Sequence, residues 1–137
     1  IKMKKMLKIY ITILFAIILL IDQVHSNLRL IHARTMNRRD NGKSIEVHCR
    51  SKDDDLNNQV VLDGNELAWK FRERFFQDTH FYCDLKWNET YKYHFDAYLS
   101  KRDDYGRCFT ICYYQVLDEG LYGYDEENKI WLLIYVA

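Results

Sequence analysis

Residues 80–87 alternate strictly between polar and apolar positions, which is the pattern of a half-buried β-strand. Because successive side chains of a strand point to opposite faces, the apolar side chains share one side. They are Phe81, Cys83, Leu85 and Trp87. The same stretch therefore supplies core side chains and one half of a potential disulfide.

The period of two recurs along much of the chain. It predicts strands over residues 44–51, 66–75, 91–100 and 121–124, while residues 108–117 and 130–136 are apolar on both faces and indicate central strands. Asp63-Gly64-Asn65 is a turn signal that predicts a hairpin between residues 60–62 and 66–75. Seven or eight short strands without a helical stripe predict an all-β domain over residues 44–137, an antiparallel two-sheet β-sandwich.

Residues 1–26 have the pattern of an export signal. Lysines precede an apolar run from Ile9 to Ile21, and Val24 and Ser26 are small residues suited to positions −3 and −1 of a cleavage site. An uncleaved membrane anchor is the alternative, but 13 residues of helix reach only ~20 Å of a ~30 Å hydrocarbon layer. We predict cleavage after Ser26 and a secreted, extracellular protein with no stable membrane insertion.

Residues 27–43 show no sustained period and are predicted to be a flexible lead-in. The basic cluster between Arg34 and Arg39 lies in this segment, where we expect a solvated arm. The whole chain has 20 basic and 20 acidic residues; residues 1–26 hold four lysines and one aspartate, which leaves 16 and 19. A net charge of −3 without a clustered basic excess argues against nucleic acid or an anionic membrane as the main partner.

All four cysteines lie beyond the predicted cleavage site: Cys49, Cys83, Cys108 and Cys112. An even number in a small exported domain predicts two disulfides, and the close ligand spacing of a structural zinc site is missing. On one continuous strand, Cys108 and Cys112 would lie ~13 Å apart, which exceeds the ~7 Å limit for a disulfide. That argument excludes Cys108–Cys112, and we favour Cys49–Cys112 with Cys83–Cys108.

Asn88-Glu89-Thr90 is an acceptor sequence for N-glycosylation in an exported chain, so Asn88 is predicted to be glycosylated.

Several blocks of residues resemble the plant self-incompatibility S-protein homologues. The blocks are residues 47–56 (VHCRSKDDDL), 69–71 (WKF), 79–83 (THFYC), Trp87, 95–98 (FDAY), Cys108 and Cys112. The resemblance runs from about residue 44 to 136. It implies a plant-secreted β-sandwich with two disulfides and no known catalytic centre, acting as a cell–cell signalling ligand sensed by a plasma-membrane receptor in reproduction or development.

For such a ligand, recognition is expected on loops held by the crosslinked scaffold, because loops vary without disturbing the core. The predicted recognition loop contains Asp53, Asp54 and Asp55, and residues 101–107 and 125–129 form two further candidate loops. We expect a monomer without cofactor, metal or catalytic residues.

Two alternatives of other classes remain open. One is a small secreted hydrolase or nuclease that uses three histidines on polar strand faces: His48, His80 and His94. The other is a carbohydrate- or cell-wall-binding module that uses tyrosines predicted to point outward: Tyr82, Tyr98, Tyr122 and Tyr124.

Overall fold

A computed structural model of the chain describes residues 2–26, 28–74, 78–103 and 106–137. Within these ranges there are two helices and nine strands. The helices are α1 (Lys2–Ser26) and α2 (Ser100–Asp103). The strands are β1 (Leu30–Asn37), β2 (Ile45–Arg50), β3 (Asp55–Val61), β4 (Glu66–Arg72), β5 (His80–Lys86), β6 (Lys92–Leu99), β7 (Ile111–Leu117), β8 (Gly120–Asp125) and β9 (Ile130–Val136).

The strands form two sheets that enclose one core. Five strands make one sheet in the order β4-β1-β7-β8-β9, and four make the other in the order β3-β2-β5-β6. Neighbouring strands are antiparallel except for β1 and β7, which run parallel. The predicted all-β, two-sheet sandwich is confirmed, with nine described strands instead of seven or eight.

Alternating side chains fill the space between the sheets. In β2, Ile45, Val47 and Cys49 are buried, whereas the residues between them are partly exposed. Aromatic rings join the two sheets: the ring centroids of Phe71 and Phe81 lie 4.6 Å apart. Full burial of one such apolar side chain stabilises the fold by about 1.5–3 kcal/mol. A shift of the strand register by one residue would therefore expose several of these side chains to water and lose their contributions.

The segment predicted to be a flexible lead-in contains β1, an internal strand of the five-stranded sheet. β1 pairs with β4 on one side and with β7 on the other. Its inner face includes Thr35 and Asn37, polar residues that hid the alternation in the sequence although both are fully buried. Asn37 is satisfied there, because its Nδ2 donates to the carbonyl oxygens of Lys43 and Val61.

The basic cluster is correspondingly fixed rather than free in solvent. The guanidinium of Arg34 lies 5.0 Å from the centre of the Tyr113 ring, and that of Arg39 lies 5.9 Å from the Trp87 ring. Arg39 also forms an ion pair with Asp118 at 3.2 Å. The prediction of a solvated arm was therefore wrong.

The predicted hairpin around Asp63-Gly64-Asn65 was also wrong. A turn is present, and Gly64 has the positive φ of 85° that favours glycine. However, β3 before the turn pairs with β2, whereas β4 after it pairs with β1. The turn carries the chain from one sheet to the other.

Both predicted disulfides are present, but their pairing differs from the one that we favoured. Cys49 bonds to Cys83, and Cys108 bonds to Cys112. Cys49 and Cys83 are directly opposite each other on β2 and β5. The exclusion of Cys108–Cys112 failed because β7 begins only at Ile111; Cys108 lies in the preceding turn, and the two Cα atoms are 4.9 Å apart.

Helix α1 lies outside the sandwich, with its side chains from Lys2 to Val24 exposed. These 23 residues are long and apolar enough to cross a membrane, and a signal sequence near an N-terminus has the same properties. The sequence argument counted only the 13-residue apolar run, whereas the helix is longer. The length of this helix therefore does not distinguish a membrane anchor from a signal peptide. Cleavage after Ser26 stays a prediction.

The two disulfides are expected to contribute unequally to stability, because a crosslink that closes a longer loop removes more entropy from the unfolded chain. The sequence separation is 34 residues for Cys49–Cys83 and four for Cys108–Cys112. Replacing Cys49 and Cys83 together by alanine should lower the free energy of unfolding by about 4 kcal/mol, against about 2 kcal/mol for the other pair. Urea unfolding followed by tryptophan fluorescence measures both.

Peptide mapping without reduction checks the pairing independently. Trypsin should release residues 108–129 as one internally bonded peptide and residues 44–50 joined to residues 75–86. A peptide joining Cys49 to Cys112 would contradict the observed pairing.

Candidate functional site

The three histidines of the hydrolase alternative lie next to aspartates on the outer face of the four-stranded sheet. We call this surface, formed by His48, Arg50, Asp55, His80, Tyr82, Asp84, His94 and Asp96, the histidine face. His48 Nε2 lies 2.5 Å from Asp55 Oδ1, and His80 Nε2 lies 2.6 Å from Asp96 Oδ1. His94 Nδ1 lies 2.8 Å from Asp84 Oδ1. Each histidine therefore has its own carboxylate partner.

Tyr82 lies at the centre of this face. Its ring centroid is 5.2 Å from that of His80 and 5.5 Å from that of His94. The Arg50 guanidinium lies 5.2 Å from the same ring and forms an ion pair with Asp84 at 3.0 Å. Cross-strand register explains the arrangement, because Arg50, Tyr82 and Asp96 are direct neighbours on β2, β5 and β6.

The histidines do not converge on one centre as the hydrolase alternative requires. They form three separate pairs on an open sheet surface, and their side chains range from 26% to 57% exposed. Among the residues that the structure describes, no group of three or more His, Cys, Asp and Glu side chains has a metal-binding arrangement. The geometry resembles ordinary cross-strand hydrogen bonding between polar side chains.

A cleft of about 480 Å³ opens beside this face, between the turn after β2 and the chain segments that end β4 and begin β5. We call it the Asp53 cleft. Its charged rim consists of Lys52, Asp53, Asp54, Arg72, Arg74 and Asp78. Phe71, Phe81 and Tyr82 supply apolar and aromatic surface inside it. An apolar interior with a rim of both charges is suited to a polar protein surface carrying an apolar anchor.

The three aspartates of the predicted recognition loop have different roles in the structure. Asp53 forms an ion pair with Arg74 at 3.0 Å across the Asp53 cleft. Asp54 closes the turn, since its backbone oxygen accepts from the Ser51 N–H and its own N–H donates to Ser51 Oγ. Its carboxylate is exposed at the rim.

Asp55 is the first residue of β3 rather than part of the loop. Its carboxylate accepts the Asn57 backbone N–H at 2.8 Å and contacts His48. These two hydrogen bonds, the Asn57 contribution being the larger, hold the pKa of Asp55 below its ordinary value. Asn57 itself has a positive φ of 61°, at the irregularity in the β2–β3 pairing. Asp55 therefore fixes the start of β3, whereas the exposed carboxylate of Asp54 is more accessible to a binding partner.

The second candidate loop, residues 101–107, is anchored by a buried carboxylate. Asp103 is 0% exposed; it accepts the Leu99 backbone N–H at 2.8 Å and pairs with Arg102 at 2.7 Å. Arg107 donates to the hydroxyl of Tyr114, whose pKa is raised by burial. Residues 104 and 105 lie outside the described ranges. The described part of this loop is held mainly by contacts within the fold.

The third candidate loop, residues 125–129, is fixed at its base and exposed at its tip. Glu126 accepts hydrogen bonds from the backbone N–H groups of Thr110 and Ile111 at 2.7 and 3.1 Å and from the Thr110 hydroxyl. Burial raises the pKa of Glu126, but these hydrogen bonds outweigh burial and leave the pKa below its ordinary value. Glu127 and Lys129 remain exposed.

The tyrosines of the carbohydrate alternative do not form one surface. Tyr98 is 0% exposed, because a bulge between Phe81 and Tyr82 shifts the β5–β6 register and places both Ala97 and Tyr98 inside. Its hydroxyl donates to Glu73 and accepts from Arg29, both at 2.8 Å. Tyr124 contacts Trp131 with the rings tilted by 59°, which is not the flat platform that stacking on a sugar favours.

Asn88 lies in the exposed turn between β5 and β6. Its Oδ1 accepts the backbone N–H groups of Thr90 and Tyr91 at 2.8 and 2.9 Å. The side chain therefore lies at the surface, and glycosylation of Asn88 stays a prediction.

Sequence reasoning missed the far side of the Asp53 cleft, contributed by Phe71, Arg74 and Asp78. These residues follow a change of sheet that the predicted hairpin left out, so no local signal placed them opposite Asp53.

The comparisons of this chain with known proteins agree on one family of plant proteins. The profile of the family described as plant self-incompatibility protein S1 matches residues 32–136. The chain is 51% identical over 107 residues to self-incompatibility protein S1 of Papaver rhoeas, covering 78% of this chain and 77% of that protein.

Two relatives from Arabidopsis thaliana are more distant. S-protein homolog 29 is 43% identical over 67 residues, which cover 49% of this chain and 48% of the relative. S-protein homolog 24 is 33% identical over 96 residues, which cover 70% and 63% respectively. No solved structure matches the chain.

The hydrogen bonds to Glu126 predict a pH-dependent contribution to stability. A carboxyl group whose pKa is lowered by folding stabilises the fold above its unfolded-state pKa, and this stabilisation is lost as the pH falls through the folded-state pKa. Glu126→Gln should therefore lower the free energy of unfolding by about 1–2 kcal/mol near pH 7. The difference in the free energy of unfolding between this variant and the unsubstituted protein should approach zero below about pH 3.

Glu127→Gln is the matched control, since Glu127 is the exposed neighbour. Urea unfolding of all three proteins at both pH values measures the effect. Equal losses for the two variants near pH 7 would contradict the role assigned to Glu126.

Proposed function

Because the chain belongs to the plant self-incompatibility protein S1 family, we propose that it is a secreted ligand for cell–cell recognition in plants. In this proposal the protein leaves the cell, carries no reaction of its own, and presents the Asp53 cleft to a plasma-membrane receptor on another cell. The sandwich is the rigid support, and the charged rim of the cleft selects the partner.

The single observation that carries the proposal is the 51% identity over 107 residues to a protein named self-incompatibility protein S1. The family profile matches residues 32–136, which include the strands and turns that form the cleft. Fold alone would not support a role, since sandwiches of this kind serve many purposes.

Two features of the chain support export. The apolar helix α1 precedes the sandwich and does not pack in its core. All four cysteines are oxidised in disulfides, and such bonds persist in secreted proteins and not in the reducing cytosol. Both are consistent with entry into the secretory route through a signal peptide.

The Asp53 cleft supports the recognition part of the proposal. Both cations and anions line its rim, and a rim of this kind favours a partner of complementary charge while repelling others. The Asp53–Arg74 ion pair joins the two sides of the cleft opening. A receptor group that binds either side chain would therefore break this ion pair and change both sides of the cleft.

Expression of the full chain in plant cells should place the protein in the apoplastic fluid, with residues 1–26 removed and Asn27 as the new N-terminus. The secreted form should lose mass on enzymatic deglycosylation, because Asn88 is exposed in the only N-x-Ser/Thr sequence of the chain. N-terminal sequencing and intact mass spectrometry measure both.

Asn88→Gln should abolish the mass loss, whereas Asn65→Gln, at an exposed asparagine outside any acceptor sequence, should retain it. Protein that stays in the membrane fraction with α1 attached would refute the export step.

Reversing the charge of Asp54 tests the cleft as the contact surface. Asp54→Lys changes an exposed rim charge whose carboxylate makes no ion pair among the described residues, so the fold should be retained. We expect about tenfold weaker binding to the receptor on plant cells and a correspondingly reduced rapid calcium response.

Glu119→Lys is the control. Glu119 is exposed in the turn between β7 and β8, beside the connection that leads into β2, whereas Asp54 lies in the turn that follows β2. The two charges thus occupy opposite ends of the sandwich. Asp54→Lys protein that folds and elicits the full response would remove the Asp53 cleft from the proposal.

A further inference from the structure

The outer face of the five-stranded sheet carries basic side chains on two neighbouring strands, β1 and β4. In the β1–β4 register, His32 lies directly opposite Lys70, and Leu30 lies opposite Arg72. His32, Lys70 and Arg72 are exposed, because they alternate with residues that face the core. Arg34 follows two residues after His32 on the same face, and its side chain is 44% exposed. We call His32, Arg34, Lys70 and Arg72 the basic stripe.

Little negative charge opposes the basic stripe. Glu66 is the only carboxylate among the outward-facing residues of β1, β4 and β7. Its Oε2 lies 3.9 Å from Arg34 Nη1, a distance too long for a hydrogen bond. Lys70 makes no ion pair within the part of the chain that the structure describes. The stripe therefore has positive charge that is not neutralised by the fold.

The amino-acid sequence does not show this cluster, because its two halves come from strands that are distant along the chain. β1 covers residues 30–37 and β4 covers residues 66–72, and only their pairing brings the basic side chains together. The net charge of −3 that remains without residues 1–26 describes the whole domain. It does not describe this face, which is locally positive.

Arg34 is held in place by an aromatic ring. It lies opposite Tyr113 on β7, and its guanidinium is 5.0 Å from the centre of that ring. A guanidinium supported in this way presents its N–H groups as a planar fork, which matches the two oxygens of a carboxylate. On the other side of Arg34 lies Ala68, whose small side chain leaves a low surface between Arg34 and Lys70. The stripe therefore combines an oriented carboxylate-binding group with a mobile point charge.

We propose that the basic stripe binds an acidic polysaccharide, a polymer of sugar rings that carry carboxylates. Neighbouring strands are about 4.8 Å apart, so cations on β1 and β4 contact carboxylates that repeat along one stiff chain. Because the polymer repeats, a protein that leaves one set of carboxylates meets another at high effective concentration. The proposed ligand differs from that of the Asp53 cleft, and only Arg72 belongs to both surfaces. The proposal also does not use the tyrosines of the earlier carbohydrate alternative.

Other polyanions fit this surface less well. The stripe has three lysine and arginine side chains, whereas sites for anionic membranes typically have about four to eight. An extended acidic peptide gains specificity from pockets for its alternate side chains. The low surface at Ala68 instead gives a stiff sugar chain room to lie across the strands. Charge complementarity and surface shape together favour the polysaccharide.

Binding to polygalacturonate tests the proposal. The full chain is expressed in plant cells, purified in the form that the cells produce, and measured by biolayer interferometry on immobilised polygalacturonate. The unsubstituted protein should bind, and its affinity should fall as salt is added, because exposed ion pairs are screened. Lys70→Glu and Arg34→Gln should each raise the dissociation constant about tenfold, since each removes a charge-assisted contact.

Lys92→Glu is the matched control. Lys92 is an exposed lysine on β6, an edge strand of the other sheet, as Lys70 is on β4. The substitution changes the net charge by the same amount but lies away from the stripe, so the dissociation constant should stay within about twofold. Far-UV circular dichroism establishes that each variant is folded, and two stripe variants are used so that the loss of either one leaves a test.

Two further polymers separate the acidic sugar from its alternatives. Fully methyl-esterified polygalacturonate has the same rings without the charges and should not bind. Polyglutamate has carboxylates on a peptide chain and should bind at least tenfold more weakly. Absence of binding to polygalacturonate, equal losses for Lys70→Glu and Lys92→Glu, or equal binding of either comparison polymer would each overturn the proposal. These outcomes are independent of the receptor response, which tests the Asp53 cleft.

Discussion

The pairing of β1 with both β4 and β7 is the contact on which the rest of the sandwich depends. Without β1, the five-stranded sheet would divide into β4 alone and the β7-β8-β9 meander. The parallel β1–β7 pair joins strands separated by about 80 residues, and Arg38 extends it by donating its backbone N–H to Val116. At the same end, Asn37 bonds to the carbonyl oxygens of Lys43 and Val61, which ties this sheet to β2 and β3. Closing this long loop costs entropy, which the hydrogen bonds that β1 makes to both of its neighbours help to offset.

The surface features follow from that framework. Because β3 and β4 belong to different sheets, the turn between them brings Arg72 and Arg74 near the turn after β2, and the Asp53 cleft forms where the sheets separate. The histidine face instead follows from the strand register, because each histidine and Arg50 meets a carboxylate on the adjacent strand. Groups already paired in this way offer a partner less than groups at the cleft rim, where Asp54 retains an exposed carboxylate.

Local alternation in the sequence predicts most strands, the two-sheet architecture and the inner residues of β2 and β5, because period-two burial is a property of a few adjacent residues. Local alternation fails to predict burial where contacts with residues distant in sequence determine it. Thr35 and Asn37 are polar yet buried, since neighbours remote in sequence cover them. Tyr98 points inward because of one bulge, and Cys108 reaches Cys112 because a strand begins three residues later than its composition indicates. The Asp53 cleft was beyond sequence reasoning for the same reason, as Arg74 and Asp53 meet only after the chain changes sheets.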